Sequence, residues 1–228
     1  MIEQKKNGVN TGKQHQTEEG NQKNKAFSRW FLPVVIIILV GLSGYFLLKG
    51  DNLESEPSSQ ATNRAIGPES ATVMITEYGD FSCIACKAWH QSGIREEVIE
   101  KYGDQVRFVW HDFPVISPVS PKAAEAGFCA NDQGQFWDYH DILFENSPAL
   151  GVDNLIIYAK EIGLDGEEFA ECLNNSKYKT SVEVDLKAAT DLGFTSVPSF
   201  IINGRRMIGP PSFEQLSSII DSLLQPAN

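Results

Sequence analysis

The sequence lacks an excess of basic residues, because 19 lysines and arginines face 30 aspartates and glutamates for a net charge of −11. A protein that binds nucleic acid needs a basic surface, so this composition argues against such a partner. Histidine is also scarce, with four residues, of which His15, His111 and His140 show no recognisable metal spacing. The sequence therefore predicts no nucleic-acid partner, no metal and no other cofactor.

Long apolar runs are equally scarce, and the one that stands out extends from Trp30 to Leu48 without a charged residue. As a helix it would nearly span a hydrocarbon core of about 30 Å. Neither a small-residue cleavage site nor a lipoprotein cysteine follows it, which favours an uncleaved anchor over a cleaved signal peptide. Basic residues concentrate before the run, and Asp51, Glu54 and Glu56 follow it, so the N-terminus is predicted to be cytoplasmic.

Four regions follow from this pattern. Residues 1–29 are predicted to be a disordered cytoplasmic tail, 30–48 a transmembrane anchor and 49–66 a flexible linker. Residues 67–228 are then an extracytoplasmic domain, large enough for one core. The predicted location is the cell membrane, crossed once.

Cysteine is limited to four residues, all in the predicted extracytoplasmic domain, where disulfides persist. Two of them form the motif Cys83-Ile84-Ala85-Cys86, after an apolar strand pattern and at the start of a helical one. The first sulfur would lie near unpaired N–H groups at the positive end of the helix dipole, which favours thiolate. The pair can therefore cycle between dithiol and disulfide, although the spacing alone also suits half of a zinc site.

The order of predicted elements indicates an α/β fold. Residues 72–78 and 105–111 are predicted to be parallel strands joined by a helix over 83–102, which is a βαβ unit. Helical patterns fill about 115–192. Asn203-Gly204 then predicts a hairpin, and an amphipathic helix ends near Leu224. This order predicts a thioredoxin-like fold with an inserted helical domain.

Four blocks of the sequence resemble the DsbA family of thiol–disulfide oxidoreductases: EYGDFSCIACKAWH, FVWHDFPV, AAEAGFCANDQGQFWDYHDILF and TSVPSFIING. The resemblance implies that Cys83 exchanges with the substrate and that Cys86 resolves the mixed disulfide. Ile84-Ala85 departs from the Pro-His of strongly oxidising members. Because neither side chain can stabilise a thiolate, we expect a weaker oxidant, with a Cys83 pKa lowered mainly by the helix terminus and backbone N–H groups.

The resemblance also implies further site residues. Pro198 should follow a cis bond beside the redox pair, with the backbone of Val197 pairing with the substrate chain. Glu77 should be a buried acid that exchanges a proton with Cys86, unless strand alternation points it to solvent. Phe81 is expected on an apolar substrate surface.

The remaining cysteines, Cys129 and Cys172, fall in the predicted inserted helices. A disulfide between them is favoured over two buried thiols because of the compartment, and it would close a loop worth about 4 kcal/mol. His90 lies four residues after Cys86, and we interpret it as a solvated helix residue, with a metal ligand as the alternative.

Together these features predict a monomeric, membrane-tethered enzyme that introduces disulfides into exported proteins with reduced cysteines. The resemblance implies reoxidation by a quinone-coupled membrane protein. A reductase or isomerase is the alternative within enzymes. From a different class, a copper-binding or copper-delivery module would use Cys83 and Cys86 with His90 as soft ligands.

Overall fold

A computed structural model describes residues 64–225, which form a mixed five-stranded sheet and eight α-helices. The strands are β1 Ala65–Ile66, β2 Val73–Gly79, β3 Val106–Asp112, β4 Ser199–Ile202 and β5 Arg205–Ile208. The helices are α1 Ile84–Gln91, α2 Ile94–Tyr102, α3 Ser120–Asp132, α4 Phe136–Asn146, α5 Val152–Glu161, α6 Gly166–Asn174, α7 Lys179–Asp191 and α8 Phe213–Leu224.

The sheet has the order β1-β3-β2-β4-β5, with β2 at its centre. Strand β2 is apolar and almost wholly buried, as expected for a strand covered on both faces. It pairs in parallel with β3 and antiparallel with β4, where Tyr78 lies opposite Ser199. This register brings the end of β2, from which Cys83 follows, to the same edge as Val197 and Pro198 before β4.

The predicted α/β fold of thioredoxin type is confirmed, including the βαβ unit and the Asn203-Gly204 hairpin. Five helices, α3 to α7, occupy the predicted insertion between β3 and β4. Local capping explains one start: the Asp165 carboxylate accepts hydrogen bonds from the N–H groups of Glu167 and Glu168.

The prediction of one helix over residues 83–102 is wrong, because α1 and α2 are separate. Gly93 between them has φ 74°, in the left-handed region that glycine enters without steric cost. The N–H of Ser92 still bonds to the carbonyls of Ala88 and Trp89, which closes α1 before the chain turns.

The predicted linker over 49–66 extends too far, because residues 64–66 belong to the folded domain. Strand β1 pairs antiparallel with β3. The Arg64 side chain is buried, and its guanidinium lies 3.1 Å from Asp112 and 2.7 Å from Asp185. It also covers the ring of Phe128 in α3 at 4.0 Å. These partners are distant in sequence, so the local polar composition did not reveal them.

The predicted tail, the anchor over 30–48 and the rest of the linker lie outside the described residues. Within residues 64–225, no helix combines the length and the apolar character needed to cross a bilayer.

Candidate active site

Cys83 is the N-cap residue of α1, at the point where the chain leaves the central strand. Its own N–H donates to the carbonyl of Asp80 at 2.9 Å, which closes a turn after β2. Its sulfur accepts a hydrogen bond from the N–H of Cys86 at 3.2 Å, one of the donors that a helix start leaves unpaired. Both cysteines are free thiols in this structure.

The two thiols of the pair have opposite acidities. A hydrogen bond from the Cys86 side chain, supported by the N–H groups of Cys86 and Ala85, lowers the pKa of Cys83 to about 7, although burial and Asp80 oppose it. Burial raises the pKa of Cys86 far above its usual range, and the Cys83 bond and the charge of Glu77 act in the same direction. At neutral pH a large fraction of Cys83 is therefore thiolate, whereas Cys86 holds its proton.

The Ile84-Ala85 departure predicts a Cys83 pKa that is lowered mainly by the helix terminus and backbone N–H groups. Backbone N–H groups do contribute, but the neighbouring Cys86 thiol is the largest single cause. The Ile84 side chain adds no donor and is 86% exposed.

The Val197–Pro198 peptide bond is cis and lies beside the reactive sulfur. The Cys83 thiol reaches the carbonyl oxygen of Val197 at 3.6 Å. Pro198 is buried and Val197 is half-buried, so the loop before β4 forms one wall next to Cys83.

Glu77 is buried in β2, with 4% exposure, so the alternative in which it points to solvent is wrong. Its Oε2 lies 3.3 Å from Nε2 of His90. The interpretation of His90 as a solvated residue is also wrong, because its side chain is only 6% exposed. Helix α4 of the insertion covers this face of α1, and the His90 ring stacks on Phe144 at 4.6 Å.

Phe81 does not lie on a substrate surface. It is 1% exposed and stacks on Trp110 at 5.0 Å inside the core. Exposed apolar side chains near the motif are instead Ile84, Val115 and Ile116. The loop that carries the last two is tied to the motif because the Ile116 N–H donates to Asp80 at 2.8 Å. Sequence reasoning missed this loop, although its apolar residues between prolines were a visible signal.

Cys129 and Cys172 are joined by a disulfide between α3 and α6, with a Cα–Cα distance of 6.0 Å. Both residues are buried in the core of the insertion. Among the described residues, the one cluster of three potential metal-ligating side chains is His90, His140 and Asp141. That cluster does not contain Cys83 or Cys86, so a site in which both cysteines and His90 bind one metal is not formed here.

Comparisons with known proteins agree with this geometry. A family model described as thioredoxin matches residues 59–222. The structure of oxidised BdbD from Bacillus subtilis superposes with a TM-score of 0.65 at 23% identity, over 71% of this chain and 92% of that one. The thiol-disulfide exchange protein alpha-DsbA2 from Wolbachia pipientis gives 0.64 at 22% identity, over 74% and 92%. At this identity the likeness shows a shared fold.

Curated relatives fall into two groups. A probable disulfide bond formation protein D from Bacillus cereus is 27% identical over 84% of this chain and 93% of its own length. A protein named Na(+)/H(+) antiporter NhaA 3 from Salinispora tropica is 34% identical over 71% of this chain. The chain spans only about a quarter of that antiporter, 24% of its length.

A redox-type C-x-x-C at a helix start, a cis proline beside it and a thioredoxin-like sheet define the class of protein. The chain belongs to the thioredoxin family, whose model matches residues 59–222.

Proposed function

We propose that this protein is a thiol–disulfide oxidoreductase that introduces disulfides into exported proteins through Cys83 and Cys86. The observation that carries the proposal is the split acidity of the pair, with one thiol acidic at a helix start and its neighbour buried. The Bacillus cereus relative, a probable disulfide bond formation protein, supports the same activity.

The proposed reaction begins with the Cys83–Cys86 disulfide. A substrate thiolate attacks Sγ of Cys83, a mixed disulfide forms, and Cys86 leaves as a thiolate that takes up a proton. A second substrate thiolate then attacks the substrate sulfur and displaces Cys83. The substrate loses two electrons and gains a disulfide, while the enzyme pair gains both electrons. Because the Cys83 thiolate is stabilised, it is a good leaving group.

The surroundings of Cys83 suit an extended, unfolded substrate. The exposed side chains of Ile84, Val115 and Ile116 offer apolar contacts without side-chain hydrogen bonds. The backbone of Val197, whose carbonyl oxygen lies 3.6 Å from the Cys83 sulfur, would pair with the main chain of the substrate. Such a surface favours chains that still expose apolar residues over any one sequence.

We propose further that residues 30–48 anchor the enzyme in the cell membrane with its catalytic domain outside the cytoplasm. The supporting observations are the uncharged run, the basic residues before it and the disulfide between Cys129 and Cys172, which suits an oxidising compartment. A quinone-coupled membrane protein is the proposed acceptor of electrons from the reduced pair.

The test uses the full chain in detergent, oxidised at Cys83–Cys86 and mixed with a reduced, unfolded substrate protein. The wild type should form disulfides in that substrate, and Cys83→Ser should reduce turnover to background. The double variant Cys129→Ala/Cys172→Ala, which lacks the second disulfide, is the matched control and should keep its turnover. Full activity in Cys83→Ser would refute the proposal. A redox potential near that of thioredoxin, about −270 mV, would favour a reductase instead.

A further inference from the structure

A row of ionisable side chains extends from the buried face of the redox pair to the protein surface. We call it the acid–histidine row, and its members are Glu77, His90, His140 and Asp141. His90 is 3.3 Å from Glu77, and its ring centroid is 4.4 Å from that of His140. Nδ1 of His140 is 2.8 Å from Oδ1 of Asp141, whose side chain is 50% exposed.

The inner members of the row carry polar atoms that are buried without a hydrogen-bond partner among the described residues. These atoms are Oε1 of Glu77, both ring nitrogens of His90 and Nε2 of His140. An unsatisfied buried polar group costs about 1–3 kcal/mol, so several in one place call for an explanation. Aromatic rings surround them: Phe81, Trp110, Phe136, Trp137 and Phe144.

The chemistry at Cys86 requires a proton path. Cys86 is 0% exposed, and burial favours its neutral form strongly. It must nevertheless gain a proton when it leaves the disulfide and lose one when it attacks Cys83. The charge of Glu77 acts on Cys86 and raises its pKa, so Glu77 is the member of the row that would exchange the proton with Cys86.

We propose that the acid–histidine row carries protons between Cys86 and solvent. The inference rests on the proposed function, because it concerns a step of the same redox cycle. His90 and His140 act through Glu77 and do not touch the substrate.

Each redox step moves one proton along the row. When Cys86 becomes an attacking thiolate, its proton moves to the Glu77 carboxylate and from there to His90. The ligand atoms of His90, His140 and Asp141 lie within 4.8 Å of one another, so one bridging water would carry the proton from His90 to Nε2 of His140. His140 releases the proton on Nδ1 to Asp141, from which it passes to bulk water. The reverse sequence supplies a proton when Cys86 leaves. The direction of transfer therefore follows the direction of the redox step.

The pKa shifts of the two outer members, His140 and Asp141, favour passing a proton on over holding it. Burial and the neighbouring His90 lower the pKa of His140 well below its usual range, so it rests neutral with a free nitrogen. The pKa of Asp141 is also lowered: burial opposes this, but the His140 bond and nearby cations outweigh it. An acidic Asp141 gives up its proton at once.

The charged groups around the exit fit a proton path better than a metal site. Arg95 of α2 places Nη2 3.4 Å from both carboxylate oxygens of Asp141, and its positive charge would repel a cation there. A surface pocket is lined by His90 and Asp141 together with Arg95, Glu96 and Glu145, so the row ends where water has access. On the inner side the ionisable groups are Glu77, Cys86, Cys83 and the buried Asp80.

The test separates two chemical steps with oxidised glutathione and the reduced full chain. First, Cys83 thiolate forms a mixed disulfide and releases one glutathione thiolate. Second, Cys86 loses its proton, attacks Cys83 and releases the other. In His140→Phe the first step should keep its rate and its pH midpoint. The second should slow on the order of a hundredfold, the low end for positioned proton transfer, and lose its wild-type pH profile.

Tyr139→Phe is the matched control, because it removes a buried hydrogen bond to Leu155 from the same helix without touching the row. It should leave both steps unchanged. His90→Gln provides a second variant, expected to slow the second step similarly, should His140→Phe fold poorly. A second step at the wild-type rate and pH profile in both row variants would overturn the inference alone. Failure of the wild type to form the mixed disulfide at Cys83 would instead overturn the proposed function.

Discussion

The molecule contains two cysteine pairs in two regions, and they have opposite properties. Cys83 and Cys86, at the start of α1 against the sheet, are free thiols of opposite acidity. Cys129 and Cys172, 43 residues apart in the helical insertion, are bonded to each other. The residue type is the same, so the difference lies in the surroundings. At a helix start, the Cys86 side chain and backbone N–H groups stabilise the Cys83 thiolate, whereas a crossing between two packed helices holds the other two sulfurs together.

The two regions are also joined by charge. Arg64 contacts Asp112 at the end of β3 and Asp185 in α7 of the insertion. Asp185 accepts further hydrogen bonds from the Asp112 N–H and from His111. Although burial opposes it, Arg64 lowers the pKa of Asp185 to about 2. This ion pair therefore links the sheet, which positions the redox pair, to the helical insertion, which contains the second disulfide.

The largest loss in the free energy of unfolding is expected from Arg64→Met, which removes the cation that links the two regions. Removing one partner of a buried ion pair costs about 3–5 kcal/mol, and we expect the upper end because two carboxylates lose their cation. Urea unfolding of the oxidised full chain measures the loss. The exposed Arg205→Met is the control and should cost less than about 1 kcal/mol. A loss for Arg64→Met as small as for Arg205→Met would show that the regions hold together without this contact.

The next effect is expected from Cys129→Ala/Cys172→Ala. Opening a loop closed over 43 residues should lower the free energy of unfolding by about 4 kcal/mol from chain entropy. The pKa of Cys83 should remain about 7, because none of its causes lies in the insertion. Urea unfolding and alkylation of Cys83 as a function of pH measure the two quantities. A Cys83 pKa that differs between the wild type and this double variant would show that the two cysteine pairs are not independent.

The smallest effect is expected from substitutions of Cys86, which change the pKa of Cys83. Cys86→Ala removes the largest cause of the low Cys83 pKa and should raise that pKa toward an ordinary thiol value. Cys86→Ser keeps a side-chain donor and should hold the pKa close to about 7. The pH midpoint of alkylation by iodoacetamide measures both. Equal midpoints in the two variants would assign the acidity of Cys83 to the helix terminus alone.

Much of the fold could be predicted because its signals are local. The apolar run of β2 and the Asn203-Gly204 turn each act over a few residues, and the structure contains both elements. The position of the cysteine pair at a helix start was readable in the same way. The resemblance to the DsbA family suggested Pro198 and Glu77, where spacing alone was silent.

The wrong predictions from the sequence have one physical cause, which is contact between elements that are distant in the chain. His90 and Phe81 follow patterns that fit either a surface or a core, and helix α4, some 50 residues on, decides by covering both. Arg64 sits in a polar stretch, and its burial depends on Asp112 and Asp185. Local sequence carries no record of such partners. The break at Gly93 was the exception, since a glycine inside a helical pattern is a visible warning.

The acidity of Cys83 also determines how many protons accompany two electrons. Below pH 7 the reduced pair holds both protons, so its midpoint potential should fall by about 59 mV for each pH unit. Above pH 7 only Cys86 remains protonated, and the slope should halve to about 30 mV. A compartment that turns acidic would thus make this pair a stronger acceptor of electrons, and the change would steepen at the point where Cys83 gains its proton.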